Sequence, residues 1–476
     1  MSKGFFKKII SAIILIGFIF LTEFPVLNAE MINKNIIFSQ NVFKKGENSV
    51  YDLLIISPYK FLETLKPLVE YKNRNNVSTM LVSLKKVYEE EKVSGRDKPE
   101  QIKLFIRDSI EKYGIKYVLL VGYFRIIPVR YVYNSDSEPF FISELYYADI
   151  YDKNGSFSSW DTNNNGIFGE WKGTEAQDKD IDLYPDVYVG RLACRNILEV
   201  KIMVDKIITY ETSTYDSDWF NRFVVCAGDT YPDGYYPFPT PDYEGEENAK
   251  TALSYMPGFS NTSLFTSDGS FTGPSDVINA ISQGCGFLFF DGHASPIVWC
   301  THPPNNRSWI NGLRLIDMTF LRNKNMLPVC VVGGCHNNQF DVNLLNLLKD
   351  FKGSLYSSTW TPECWGWKLT RKIGGGSIAT IGCSGLGLTK EDKSTQEGAS
   401  DYLDSQIFYE YGINGTDILG EVWGKAISNY IDKYPINWNT NSSWDYAYDA
   451  KTVQQYVLFG DPSLKIGGYP SGTINR

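Results

Sequence analysis

Histidine is scarce in this chain: the 476 residues hold three, His293, His302 and His336. Chemistry that needs an imidazole at neutral pH must use one of them, and a histidine-rich metal site is excluded. Positive charge is not in surplus either. The 46 Lys and Arg stand against 55 Asp and Glu, for a formal charge of −9, so nucleic acid is not an expected partner. No internal repeat or low-complexity tract is present, which excludes solenoid and propeller arrays. Beyond the N-terminus no segment has the roughly 18 consecutive apolar residues of a membrane span. What is abundant is core-forming material. Hydrophobic residues make up 43% and aromatic residues 15%, with 31 tyrosines, too much for a disordered chain.

The N-terminus reads as an export signal. Lys3, Lys7 and Lys8 precede an apolar run over residues 9–21, and Thr22, Glu23, Pro25 and Ala29 follow. A charged start, a short apolar stretch and a small residue at the end predict a signal peptide over 1–29. Leu27 is not the small residue preferred there, so an uncleaved anchor is the alternative. The expected location is secreted or at the cell surface, with no membrane contact beyond the signal. A short polar lead covers 30–49. Eight cysteines in an exported protein would allow four disulfides. However, Cys226, Cys330 and Cys383 lie in the apolar runs RFVVCAG, LPVCVVGG and IATIGCSG, which suit buried free thiols.

From residue 50 the pattern is regular. Strands expected at 50–57, 77–84 and 115–122 alternate with helices at 60–74 and 98–113, the signature of a parallel sheet covered by helices. A strand at 186–191 and a helix at 195–211 follow. A second run has strands at 223–228, 286–292, 326–334 and 377–382. Its helices are expected at 274–282, 312–322, 342–349, 362–372, 399–411, 417–432 and 451–458. This gives two α/β halves, 50–215 and 220–468, and a tail at 469–476.

Reactive groups in parallel α/β sheets collect at the carboxyl ends of strands. Strand 286–292 runs into His293-Ala294-Ser295, and strand 326–334 runs into Cys335-His336-Asn337-Asn338. A strand–helix–strand connection brings both ends to one sheet edge. His293 and Cys335 are therefore candidates for a pair in which imidazole activates thiol. Gly292, Gly333 and Gly334 allow close backbone approach, and N–H groups past a strand end can face a developing oxyanion. Other uses of these residues stay open. Either is commonly a packing or hydrogen-bonding residue, and Cys300, His302, Cys335 and His336 supply a Cys₂His₂ donor set, although at no standard zinc spacing. A separate segment resembles a calcium loop. Asp161, Asn163 and Asn165 stand at positions 1, 3 and 5 with Gly166 at 6, which predicts structural calcium. Ile167 would offer its carbonyl. Position 12 is Lys172, so Glu170 or a following acid would replace the usual one. A polar turn is the alternative.

The apolar strand ending GHAS, with Trp299 soon after, and the next ending GGCHNNQFD resemble the gingipain family of cysteine peptidases (peptidase family C25). KYVLLVG, DVYVGRLACRN, KIITYE and VLFGDPSL are similar to that family's strand and helix ends, in order, over roughly residues 50–468. The resemblance implies a caspase-like α/β fold of two adjacent, mainly parallel sheets flanked by helices. It implies an exported cysteine endopeptidase acting on protein or peptide substrates. Cys335 would be the nucleophile and His293 the general acid/base. The N–H groups of Ala294 and Cys335 would form the oxyanion hole, with alanine where the family usually has glycine. Asp229, ending FVVCAGD, would orient His293. A preference for a basic residue before the cleaved bond would place Asp242 or Glu244, in PDYEGEEN, opposite it, with Trp299 beside the substrate and Trp365 and Trp367 as further candidate walls. A non-catalytic calcium-binding surface module on the same fold is the alternative. The oligomeric state is open.

Overall fold

Short apolar runs, each closed by a turn or a helix cap, form one sheet of ten strands. The computed structural model describes residues 50–134, 138, 140–179, 181–232, 243–389, 398–443 and 445–470. The expected signal and lead lie outside them. In chain order the strands are β1 (Leu53–Ser57), β2 (Thr79–Ser83), β3 (Tyr117–Val121), β4 (Tyr188–Leu192), β5 (Arg222–Ala227), β6 (Ser260–Phe265), β7 (Phe287–Asp291), β8 (Val329–Val332), β9 (Ala379–Cys383) and β10 (Tyr456–Phe459). Their order across the sheet is β6-β5-β7-β8-β9-β10-β4-β3-β1-β2. Most are buried throughout, as expected where helices cover both faces of a parallel sheet.

The sheet is two adjacent blocks. The first half of the chain supplies β2-β1-β3-β4 and the second supplies the rest. β10 is the seam. It runs antiparallel to β9 and meets β4 through Phe459 opposite Arg191. The described residues from Val50 onward pack as one unit. The flanking helices are α1 (Leu62–Arg74), α2 (Lys98–Tyr113), α3 (Ile197–Ser213), α4 (Glu244–Ser254), α5 (Pro274–Ser282), α6 (Ala399–Gly412), α7 (Leu419–Lys433) and α8 (Asp445–Gln455). α2 shows why such segments become helices where they do. The Asp97 side chain caps the Glu100 N–H, and Gly114 ends the helix at φ 71°, the conformation glycine adopts at least cost. Behind the seam, buried Lys72 of α1 reaches Glu211 of α3 at 2.9 Å and Asp461 at 2.8 Å. That triad explains the Asp of the closing FGDPSL.

Three expected helices differ. Segment 312–322 begins as a strand, Ile310–Arg314, in a small antiparallel sheet with His293–Ser295 and Val298–Thr301. The spacing of Ile310, Leu313 and Ile316 imitates a helix, but Gly312 lies where any Cβ would overlap the Trp299 ring. Segment 451–458 divides between the end of α8 and β10. In 342–349 only Asn346–Lys349 is helical, and Phe351–Tyr356 forms a second short turn of helix. All eight cysteines are free. Among the described residues no helix is long and apolar enough to cross a membrane.

Candidate active site

β7 and β8 are neighbours in parallel register, with Phe290 opposite Val332, so the chain leaves both at the same edge. Gly292 leads from β7 into the hairpin that starts at His293, and Gly333-Gly334 lead from β8 to Cys335. The two connections touch. Gly334 has φ 138°, and a Cβ there would lie 2.7 Å from the Ala294 Cβ and 2.9 Å from the Ala294 nitrogen. Only glycine fits that approach. The structure thus brings the Cys335 and His293 connections together, as the strand ends predict.

The two candidate side chains rest on main-chain carbonyls. Cys335 Sγ lies 3.8 Å from the Gly387 oxygen. Burial pushes this thiol up to about 11; nearby Glu138 adds to the rise, while the Gly387 contact and Lys451 oppose it. His293 Nε2 is 2.8 Å from the Thr230 oxygen. A carbonyl only accepts, so Nε2 carries the hydrogen and the neutral ring keeps its lone pair on Nδ1. Burial holds this imidazole below its usual range, with His302 adding to the effect and the Thr230 bond opposing it.

The candidate oxyanion donors are two main-chain N–H groups. The hairpin closes on Ser295 opposite Val298, so Ala294, opposite Trp299, occupies a non-hydrogen-bonded pair and its N–H is directed away from the partner strand. Among the described residues the Cys335 N–H has no acceptor. Buried Asp229 accepts the Asn305 N–H at 2.7 Å, and its own N–H donates to the His302 carbonyl at 3.0 Å. The next residue, Thr230, supplies the carbonyl that orients His293. His336 stands at φ 57°. Its N–H donates to the Gly385 carbonyl at 2.8 Å, and its Nε2 lies 3.4 Å from Glu138. Glu138 also accepts from Lys451 at 2.8 Å and from the Leu386 N–H at 2.7 Å. This network braces the segment whose Gly387 faces the thiol.

Trp299 is not a substrate contact. It is fully buried, with Phe290 at 4.9 Å and Phe271 stacked at 5.8 Å. Cys300 pairs across the hairpin with His293, and adjacent strand residues point to opposite faces, so Trp299 must point into the core. Trp365 and Trp367 are buried as well. An exposed aromatic residue at the imidazole is Trp309, 52% exposed and 5.1 Å from the His293 ring. The sequence signal for it was a tryptophan in a polar, proline-led loop, PPNNRSW.

Asp242 lies outside the described residues. Glu244 opens α4 and accepts the Tyr231 N–H at 3.2 Å. It belongs to a larger group of carboxylates that the sequence did not announce. Asp291 ends β7, and Asp401 and Asp404 lie on α6, with Asp404 Oδ2 placed 3.0 Å from where a Gly333 Cβ would stand. Burial, then mutual repulsion, holds Asp291 and Asp404 well above the usual carboxylate range. Asp401 is raised by burial and by Glu244, against a hydrogen bond from Thr389. Asn248 donates to Asp291. Among the described residues none of these three aspartates pairs with a Lys or Arg.

The 161–170 loop is closed by its own side chains. Asp161 accepts the Asn165 N–H at 2.9 Å and the Gly166 N–H at 3.1 Å, and Asn163 accepts the Asn165 N–H at 2.9 Å. Asn165 accepts the Ile167 N–H at 2.8 Å and donates to Glu170 at 2.7 Å. Arg96 lies 2.7 Å from Asp161 and supplies a positive charge there. Among the described residues no group of three or more His, Cys, Asp or Glu side chains is placed to hold a metal, so the zinc alternative has no assembled site.

Comparison with known proteins follows the same lines. The sequence model of the family described as Peptidase family C25 matches residues 47–467. Gingipain R2 of Porphyromonas gingivalis is 22% identical over 298 residues, 61% of this chain and 33% of its own length. Gingipain R1 of the same organism is 21% identical over 294 residues, 60% of this chain and 24% of its own. The chain thus spans about a third or less of these curated relatives. The crystal structure of the Arg-specific cysteine proteinase gingipain R superimposes with TM-score 0.59 at 19% identity, covering 89% of this chain and 79% of that one. The complex of pro- and mature domains of RgpB from Porphyromonas gingivalis gives 0.60 at 17%, covering 87% and 79%. At such identity the structures show a common fold.

Proposed function

The chain belongs to peptidase family C25, and from that premise we propose that it is an exported thiol endopeptidase that cuts after basic residues. In this reading Cys335 gives its proton to His293 and attacks the scissile carbonyl carbon. The oxyanion rests on the N–H groups of Ala294 and Cys335. His293 then protonates the departing amine, and water cleaves the thioester and frees the thiol. The observation that carries the reading is the close approach of the two strand-end connections at Gly334 and Ala294.

The basic preference is supported by the carboxylate group of Asp291, Asp401, Asp404 and Glu244. Burial and mutual repulsion keep protons on Asp291, Asp401 and Asp404, and an entering cation would favour their ionised forms. Export is supported by the charged and apolar N-terminal sequence. A structural calcium in the 161–170 loop is supported by the oxygen-rich spacing, with Asp161, Asn163, Asn165, the Ile167 carbonyl and Glu170 as its ligands.

A peptide electrophile carrying Lys or Arg before a reactive ketone tests the function. It is expected to label Cys335 alone, and peptides with Leu there are expected to label it slowly. Labelling of a different cysteine, or equal rates for all peptides, contradicts the reading.

A further inference from the structure

Trp309 leaves 52% of its surface to solvent, an unfavourable setting for so large an apolar ring unless something covers it. Its place is nonetheless fixed. The loop that carries it is pinned at Asn305 by Asp229 at 2.7 Å and at Ser308 by the Asn306 side chain at 2.9 Å. His302 Nδ1 donates to the Ser308 carbonyl at 3.1 Å. The His302 ring is buried, and the indole lies over it with centroids 3.9 Å apart and planes at 36°. From that seat Trp309 meets His293 edge-on, at 5.1 Å and 85°. Tyr231 meets the same imidazole at 5.6 Å and 90°. The candidate general acid thus has a rigid, exposed aromatic face as its neighbour.

A general acid must lie within hydrogen-bond reach of the departing nitrogen. The first residue after the cleaved bond therefore passes beside the imidazole. We propose that Trp309 is the platform for that residue's side chain and selects large apolar or aromatic residues there. An apolar side chain laid on the indole takes both surfaces out of water, whereas a carboxylate laid there loses water and gains no partner. Asp229 and His302 act as positioning residues for the loop that presents the ring. The proposal rests on reading Cys335 and His293 as the reacting pair.

The test uses peptides that share every residue before the cleaved bond and carry Phe, Leu, Ala or Asp immediately after it. Wild type, Trp309→Ala and Trp309→Phe are compared by kcat/KM. Wild type is expected to prefer Phe and Leu over Ala by about tenfold. Trp309→Ala is expected to bring that ratio close to one, mainly through KM, and Trp309→Phe to restore most of it. The ratio is the readout because a misfolded or displaced site lowers all four substrates alike. An unchanged ratio in Trp309→Ala, or an equal loss on every peptide, overturns the platform and leaves the reacting pair standing. Failure of the wild type to cleave any peptide overturns both.

Discussion

At Cys335 burial and Glu138 outweigh the Gly387 contact and Lys451, and at His293 burial outweighs the Thr230 bond. The thiol is pushed up to about 11 and His293 is held low, and each lies against a main-chain carbonyl. A thiolate must then form on demand, when a substrate moves the two side chains together. Below its pKa the thiolate fraction rises about tenfold per pH unit. Iodoacetamide inactivation of the free protein is therefore expected to accelerate steadily from pH 7 to 9, read as loss of activity with a mass gain at Cys335. A plateau below pH 8 would show a preformed thiolate–imidazolium pair instead. The two candidate residues stood out because each follows an apolar strand in a sequence with three histidines. Their resting partners, the Thr230 and Gly387 carbonyls, did not, because main-chain groups leave no residue-type signature. The exchange of Trp299 for Trp309 has a similar cause. Both follow His293 closely in sequence, and only the hairpin register decides which one faces inward.

At the level of elements, the strand-end connections carry the geometry. Gly334→Ala would put a methyl 2.7 Å from the Ala294 Cβ at a backbone angle of 138°. A cost of about 1–3 kcal/mol in stability is expected, with a loss in kcat/KM that stays short of the Cys335→Ala loss. Retention of full activity would mean that the two connections need not touch. The 161–170 loop gives a second prediction. Millimolar calcium is expected to raise the melting temperature of wild type but not of Asp161→Asn. An unchanged wild-type melting temperature would mean that Arg96 already supplies the charge the loop requires. The D-x-N-x-N-G pattern was plain in the sequence, while Arg96 was not, since it arrives from 65 residues away. Strands and helices with continuous apolar runs or clear caps were legible. Segment 312–322 was not, because an apolar spacing of three residues fits a helix as well as a bulged strand over a tryptophan.

Across the whole molecule, one sheet gathers groups that are remote in sequence. Asp291 comes from β7, Glu244 from α4, and Asp401 and Asp404 from α6, so no local motif announces the carboxylate cluster. Its pKa shifts are upward, which fixes the sign of the pH effect. The folded protein holds protons at Asp291, Asp401 and Asp404 that the unfolded chain releases near pH 4. The stability they contribute is complete below that pH and is lost as pH rises toward the folded values, about 7 for Asp401. Asp401→Asn is expected to be more stable than wild type at pH 8, by roughly 1–3 kcal/mol, and equal to it near pH 4. Thermal unfolding across that range checks this, and parallel pH curves for the two proteins would contradict it. The same variant is expected to lose discrimination between basic and neutral substrates. The central claim is that one thiol at the end of β8 carries out peptide-bond cleavage after basic residues. The most direct measurement compares wild type with Cys335→Ala on peptides carrying Arg, Lys or Leu before the cleaved bond. The expected result is wild-type cleavage after Arg or Lys and a loss of at least about 10³-fold in kcat/KM for Cys335→Ala. Equal cleavage by the two proteins, or wild-type cleavage preferentially after Leu, would contradict it.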